Sequence, residues 1–588
     1  MASATFFSFI LGDDLNQTNI TKEDSGLVRP LDDFDSVIGE ILGRKKADFT
    51  SQIKYLFGYM KRRGARTIVI EKSYTDGDYL ADYANYYSRC HEEIPRKTDR
   101  LHFFECHVTA AQFESILLSG DPEQTKQLSE NYLGFTVLKP LPETIVGRTC
   151  LATYVEETNS DGHLRHYPIQ RTYELSCYGL PLKVSSVAFQ EQDAEVAACS
   201  TTAIWYVLHA SPKRITESEI PSPYDITSKA MTVAFNAGNV KNGSPHRRFP
   251  TPGLDLRQIA EYLRWGRYDS FVVGVAPAGE GDEGWIPGGE ARLTNDLVLA
   301  YLPSKTPLLM VGTLSTRRSS GEPLTTHGLH AITILGYSLD PDRGNSRRYE
   351  NQVVHWTFER VVNLYIHDDG VGPFAKYTWT RKSQSKTGAK NLTESPWCLK
   401  NHLEHGETEE RQFDPAYVVV PIRDKVRLNH VGIMEYIELI CNWIYLTPSP
   451  GMTSDDFARL KAGEWSIKLI EVNDLKRKIL TTSTLEGERK IWCKASLPKY
   501  LWCVTYSISA PDRSRYIPDW EILFDATALT QAVGLLGFLS HINDDKLNSS
   551  MTGLFSQCIN SKSLPTAIER HPANNHWKQA LNALLAAA

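Results

Sequence analysis

Residues 190–210 read QEQDAEVAACSTTAIWYVLHA. A strand-like run ends at Phe189, and a polar loop with two glutamines follows. Cys199 then stands directly ahead of Ser-Thr-Thr and an apolar run containing Ala203, Trp205, Val207 and Leu208. That composition predicts a buried helix with the cysteine at its N-terminus. The first backbone N–H groups of a helix have no intrahelical acceptor, and the helix dipole adds to their field, so such a position stabilises a thiolate. The amide of Cys199 can also donate to an oxyanion. A cysteine opening an apolar helix is often only a packed thiol, so the reading depends on its partners.

Thiol catalysis needs a base that takes and returns a proton, and a third group that orients the base. Downstream, Pro307 to Leu314 predicts a core strand, and His330 opens another in HAITILGY. Leu364 to His367 makes a further strand that ends at Asp368-Asp369-Gly370, and Pro373 to Tyr377 follows as a turn or strand. Cysteine at a helix start, histidine at a strand start and aspartate at a strand end each occupy an element boundary, where a side chain can face a cleft. Either Asp368 or Asp369 can be the third member. His327 is expected to be a loop residue.

These pieces resemble the papain-like cysteine peptidases, especially the bacteriocin-processing (double-glycine leader) peptidases. The resemblance rests on Gln192, Cys199-Ser-Thr-Thr-Ala203, His330 to Tyr337 and Tyr365 to Asp368, and covers about residues 180–380. It implies Cys199 as nucleophile, His330 as general base and acid, Asp368 as the orienting carboxylate and Gln192 as a side-chain donor to the oxyanion. The family glutamine usually stands six residues before the cysteine. Here Gln192 is seven before it and Gln190 nine. The aspartate is followed by Asp369 where the family usually has proline, and Ser200 follows the cysteine where Gly or Trp is usual.

The fold class expected is α+β. A papain-like peptidase core over 151–380 would be flanked by an N-terminal α/β domain (46–150) and a C-terminal α/β domain (411–588). A loose leader (1–45) and a linker (381–410) complete the division. In the N-terminal domain Arg66 to Glu71 and Leu101 to Val108 predict strands, and Asp76 to Cys90 a tyrosine-rich, Asp-capped helix. In the C-terminal region Trp520 to Phe524 predicts a strand and Ala526 to Leu539 a helix. The outer regions resemble uncharacterised bacterial proteins. The activity implied is a thiol-dependent hydrolase that cleaves a peptide or isopeptide bond through a Cys199 thioester. The alternatives are a transglutaminase-like acyl transfer to an amine on the same fold, and a catalytically silent scaffold. A protein or peptide substrate is expected, with a protein regulator bound through the outer domains.

Composition is consistent with this picture. The chain has 588 residues, 41% hydrophobic and 23% charged, with a formal net charge of -6, which argues against nucleic acid as the main partner. No run of 18 apolar residues predicts a membrane span. Ten cysteines occur without a CxxC pair, so reduced thiols in the cytoplasm are expected. No cofactor is expected. Gly279 to Gly284 matches GxGxxG, but its acids would repel a pyrophosphate and no helix follows. Cys90, His91, His102, Cys106 and His107 lack zinc-site spacing. Lys61 to Arg66 is a basic cluster expected on a solvated surface, and Asp525 is expected to cap a helix.

Overall fold

The computed structural model describes most of residues 27–541. Outside the description lie 1–26, 542–588 and internal stretches, the longest being 213–219, 237–248, 276–288, 342–353, 382–396 and 509–517. The Gly279 to Gly284 motif falls in one of these.

The molecule is mixed α+β and is built on three sheets. The first is antiparallel, with β1 (Val28–Pro30), β2 (Thr67–Tyr74), β3 (Thr98–Phe104), β4 (Tyr132–Leu138) and β5 (Val146–Leu151) in sequential order. Helices α1 (Phe34–Leu42), α2 (Ser51–Arg63), α3 (Gly77–Asn85), α4 (Ala110–Ser119) and α5 (Pro122–Glu130) belong to the same region. Residues 27–45 were expected to be part of a loose leader. Instead Phe34, Val37 and Ile38 recur at i, i+3 and i+4 and bury one face of α1, which Gly43 ends in the left-handed conformation. That stripe is only three residues long, which is why the polar surroundings mask it. Asp76 caps α3 by accepting from the amide of Tyr79 at 3.0 Å.

The second sheet positions the site. Strands β10 (Leu308–Arg317), β11 (Thr325–Leu339), β13 (Val361–Asp368), β14 (Gly372–Arg381), β15 (Trp397–Asn401) and β16 (Glu410–Arg423) run in that spatial order. β16 then pairs back onto β10, so the sheet closes into a six-stranded barrel. The short β6 (Leu164–His166) adds to β11, and β9 (Tyr268–Gly274) adds to the C-terminal half of β16. The hairpin of β7 (Arg171–Cys177) and β8 (Leu180–Ser186) packs against β4 and β5. Helix α6 (Cys199–Ala210) is buried around almost its whole circumference and packs on β10 and β11. Helices α7 (Pro223–Asn236) and α8 (Leu256–Trp265) lie against it.

Barrel closure overturns two expected boundaries. β15 falls in the expected linker and β16 in the expected C-terminal domain, yet both are barrel staves. The stretch 382–396 lies outside the described residues. The third sheet runs β12 (His355–Trp356), β17 (Glu464–Glu471), β18 (Tyr500–Ser507), β19 (Trp520–Asp525), β20 (Leu535–Ser540). β20 occupies part of the expected Ala526 to Leu539 helix. A short apolar run reads equally as a buried strand, and here pairing with β19 decides it. Asp525 therefore caps no helix; its carboxylate accepts from the Thr527 amide in the turn after β19, at 2.7 Å.

One apolar core runs through all three sheets, from Leu31 in the N-terminal region through the barrel to Phe524. Two smaller apolar clusters lie apart from it, one around Leu501 and Leu523 in the third sheet and one around Tyr79 and Tyr87. Residues 151–381 alone would expose the barrel edges that β15 and β16 cover. We expect that fragment to give no cooperative thermal transition by circular dichroism, whereas a chain extended through β20 does.

Candidate active site

Cys199 is the first residue of α6. Asp193 shapes the loop before it. One carboxylate oxygen accepts from the amides of Val196 (2.8 Å) and Ala197 (2.7 Å), and the other from the hydroxyl of Tyr87. The cap position is Ala198, whose extended backbone starts the helix without a side-chain acceptor. No cap side chain therefore claims the first-turn amides at the cysteine. Cys199 is partly exposed, while Ser200, Thr201, Thr202 and Ala203 behind it are buried. Thr201 and Thr227 share a hydrogen bond of 2.8 Å, and Ser200 Oγ accepts from the Leu254 amide at 2.6 Å, so the helix start is anchored on two sides.

His330 lies on β11, opposite Gly312 of β10, and is 6% exposed. Its Nε2 is 3.0 Å from Asp368 Oδ1 and 3.3 Å from Asp369 Oδ1. The Cys199 thiol adds to the ring's hold on its proton. With Nε2 held by carboxylates, Nδ1 is the nitrogen left for the thiol. Burial alone would depress the imidazole pKa. The charges of Asp369 and Asp368, and the hydrogen bonds to Asp368 and Cys199, outweigh it and hold the pKa well above the ordinary histidine range.

Asp368 ends β13 and is surrounded by donors. Besides His330, it accepts from the Tyr377 hydroxyl of β14, from the Gly370 amide at 3.0 Å and from Arg411 of β16 at 3.4 Å. Burial opposes its ionisation, but Arg411, His330 and Tyr377 overcome this and keep it well below the usual carboxylate range. Asp369 is placed differently. Neither of its oxygens accepts a hydrogen bond among the described residues, although both are buried. Its carboxyl abuts that of Asp368, a contact that becomes a hydrogen bond only when one of the two carries a proton. Burial and the charge of Asp368 push Asp369 up to about 6 against the pull of His330 and Arg411.

The turn between the two strands is glycine-dependent. A Cβ on Gly370 would come within 2.4 Å of the Arg411 guanidinium, and one on Gly372 within 2.1 Å of the Tyr55 ring. Tyr55 and Gln52 come from α2. Tyr55 donates to the carbonyl of Pro373 at 2.8 Å, and Gln52 Nε2 to the carbonyl of Asp369 at 3.2 Å. The basic cluster that ends α2 supports the same docking. Arg62 binds Glu404, and Arg63 the carbonyl of Thr153. Arg62 stays exposed, as expected of a solvated surface, while Arg63 is half-buried.

The structure brings together Cys199, His330, Asp368 and Asp369. Gln192 is half-buried. Gln190 is buried at 4% exposure, its carbonyl accepts from Tyr206, and its side-chain Nε2 has no acceptor among the described residues. Tyr206 in turn feels the charges of Asp369, Asp368 and Glu191, so this segment passes beside the aspartates. Arg411 and Tyr377 had no recognisable signal in the sequence. Arg411 comes from a strand far along the chain, and Tyr377 is an ordinary strand tyrosine until the register aims it at Asp368. His327 lies in β11 next to Thr316, not in a loop.

His330, Asp368 and Asp369 are also the one group among the described residues compact enough to hold a metal, with donor atoms within 4.8 Å of one another. They fit a cation poorly, because the Arg411 guanidinium already pairs with Asp368 and a metal dication would sit against that positive charge. His102, from the set of metal-capable residues near the N-terminus, spends its two nitrogens on Tyr132 and Glu71. The nine described cysteines are all free. Among the described residues no helix is long and apolar enough to cross a membrane. In comparisons with known proteins, no family model matches the chain and no curated protein matches it.

Two predictions follow from the charges. Removing one partner of a buried ion pair strands the other, at about 3–5 kcal/mol. Arg411→Met should cost that much in urea unfolding, and Arg411→Met with Asp368→Asn together less than the sum of the two. The folded pKa of His330 is raised, so its contribution to stability is complete below the unfolded value of about 6.5 and is lost as pH rises through the folded value. The urea midpoint of the wild type, minus that of His330→Gln, should therefore decline from pH 6.5 upward.

Proposed function

We propose that the protein is a thiol-dependent hydrolase of papain-like type, in which Cys199 attacks a peptide or isopeptide carbonyl. The observation that carries this reading is the position of His330. It bridges the thiol at a helix N-terminus and a buried carboxylate that is itself fixed by a guanidinium. A histidine held there as imidazolium stabilises the thiolate and stands ready to protonate the leaving amine. The thioester that results is resolved by water, with neutral His330 taking the water's proton. The amide of Cys199 supplies one donor to the oxyanion.

The second oxyanion donor is better supplied by Gln190 than by Gln192. A buried amide N–H without an acceptor is costly unless something else occupies it, and an oxyanion is such a partner. The spacing of nine residues before the cysteine departs from the family pattern, and the segment that includes Asp193 and its turn absorbs the difference. The substrate expected is a protein or peptide.

The test is labelling of the full chain with a thiol-directed acyl electrophile at pH 6.5, read by intact mass. Wild type should take up one equivalent at Cys199, and Cys199→Ala none. Equal labelling of the variant would remove the nucleophile assignment. Once a substrate is in hand, Gln190→Ala should lower turnover by about 10²–10³-fold, and Gln192→Ala by much less. The reverse order would return the oxyanion role to Gln192.

A further inference from the structure

Two carboxyls meet one imidazole nitrogen in this site, where orientation of the base requires one. Asp368 is saturated by four donors. Asp369 is not. Its Oδ1 lies 3.3 Å from His330 Nε2, its side chain is 1% exposed, and neither oxygen accepts a hydrogen bond among the described residues. Gln52 from α2 donates to its main-chain carbonyl, and its carboxyl is enclosed in the site. A buried carboxyl in that position has two states of comparable cost. As an anion it is compensated by imidazolium; as an acid it can donate to Asp368.

We propose that Asp369 is a positioning residue that exchanges a proton against the Asp368–His330 pair and thereby sets how many negative charges the general base faces. This inference rests on the thiol-hydrolase reading above and assigns a means of regulating that site. The groups that face Asp369 are His330 from β11, Asp368 beside it, Arg411 from β16, Tyr206 from α6 and Glu191 from the loop ahead of α6. Gln52 of α2 meets only its main chain. Glu191 is itself pushed up to about 7 by burial while its carboxylate accepts from the amides of Ile145 and Val146. It therefore adds to the crowding of acids and offers Asp369 no counter-charge.

The direction of the effect follows from charge. Above about pH 6 Asp369 is an anion, two carboxylates face Nε2, and His330 holds its proton to higher pH. Below that value Asp369 is neutral, one carboxylate remains, already shared with Arg411, and the imidazolium is held less firmly. The site would thus weaken its own ion pair as the medium turns mildly acidic, although His330 alone would be more fully protonated there.

The test is a carbon-13 titration of histidine Cε1 in the full chain, with the His330 resonance assigned from its loss in His330→Gln. The wild-type curve should show two steps, one near pH 6 from Asp369 and one well above the ordinary histidine value. In Asp369→Asn the first step should vanish, and the second should move down by about one pH unit, tenfold in proton affinity. A merely structural role for Asp369 would leave the midpoint where it is. A single-step wild-type curve overturns the proposal even if the variant does not fold, as does an unchanged midpoint in a folded variant. The labelling of Cys199 described above is scored on the same samples. Absence of labelling in the wild type overturns the hydrolase reading, whereas the histidine titration reports on Asp369 whether or not the thiol reacts.

Discussion

Asp368 is the point on which the arrangement turns. Its carboxylate accepts from His330 of β11, Tyr377 of β14, Arg411 of β16 and the Gly370 amide of its own turn. His330 and Tyr377 reach it from the two strands that flank β13, and Arg411 reaches it because the barrel closes through β16 onto β10. A buried carboxylate is tolerable when it is paired and hydrogen-bonded on all sides. Closure of the sheet and ionisation of Asp368 therefore support each other. An open sheet would leave the charge uncompensated, and a neutral residue would leave Arg411 buried without its main counter-ion.

The side of the site that carries Cys199 is ordered by packing instead of charge. Helix α6 is buried on nearly every face, so its axis is fixed by the residues that surround it, and Cys199 emerges at the one end that reaches the surface. Asp193 and Tyr87 set the loop that leads into it. Tyr87 lies just beyond α3, and Tyr55 and Gln52 lie on α2. The N-terminal region thus touches both halves of the site, behind the cysteine loop and over the aspartate turn. It is part of the structure that holds the chemistry in register.

Much of this was legible in the sequence. Cys199 and the Asp368-Asp369 pair stand at element boundaries as expected, because caps and strand ends are decided by nearby residues, whereas His330, expected to open its strand, lies inside β11, which starts five residues earlier at Thr325. The strands β2, β3, β11 and β19 and the Asp76 cap could be read for the same reason. The boundaries at 381 and 411 could not. Whether a strand belongs to one sheet or the next is set by long-range pairing, and β16 carries no mark of its partner in its own composition. Arg411 and Gln52 reach the site across long chain separations, so no spacing rule contains them, and Tyr377, nine residues from Asp368, is aimed by the strand register. Gln192 was favoured on spacing, and only burial distinguishes Gln190 from it.

Chain order also gives the site a sequence of assembly in time. Cys199, His330 and both aspartates are synthesised before the strand that completes the barrel. While β16 is still inside the ribosome, β10 lacks its second neighbour and Asp368 lacks its guanidinium. A nascent chain of that length holds the thiol, the imidazole and both aspartates without the guanidinium that fixes Asp368. The full arrangement is thus completed late in translation, and a chain released before residue 411 carries Cys199, His330 and both aspartates in a barrel that has no strand to close it.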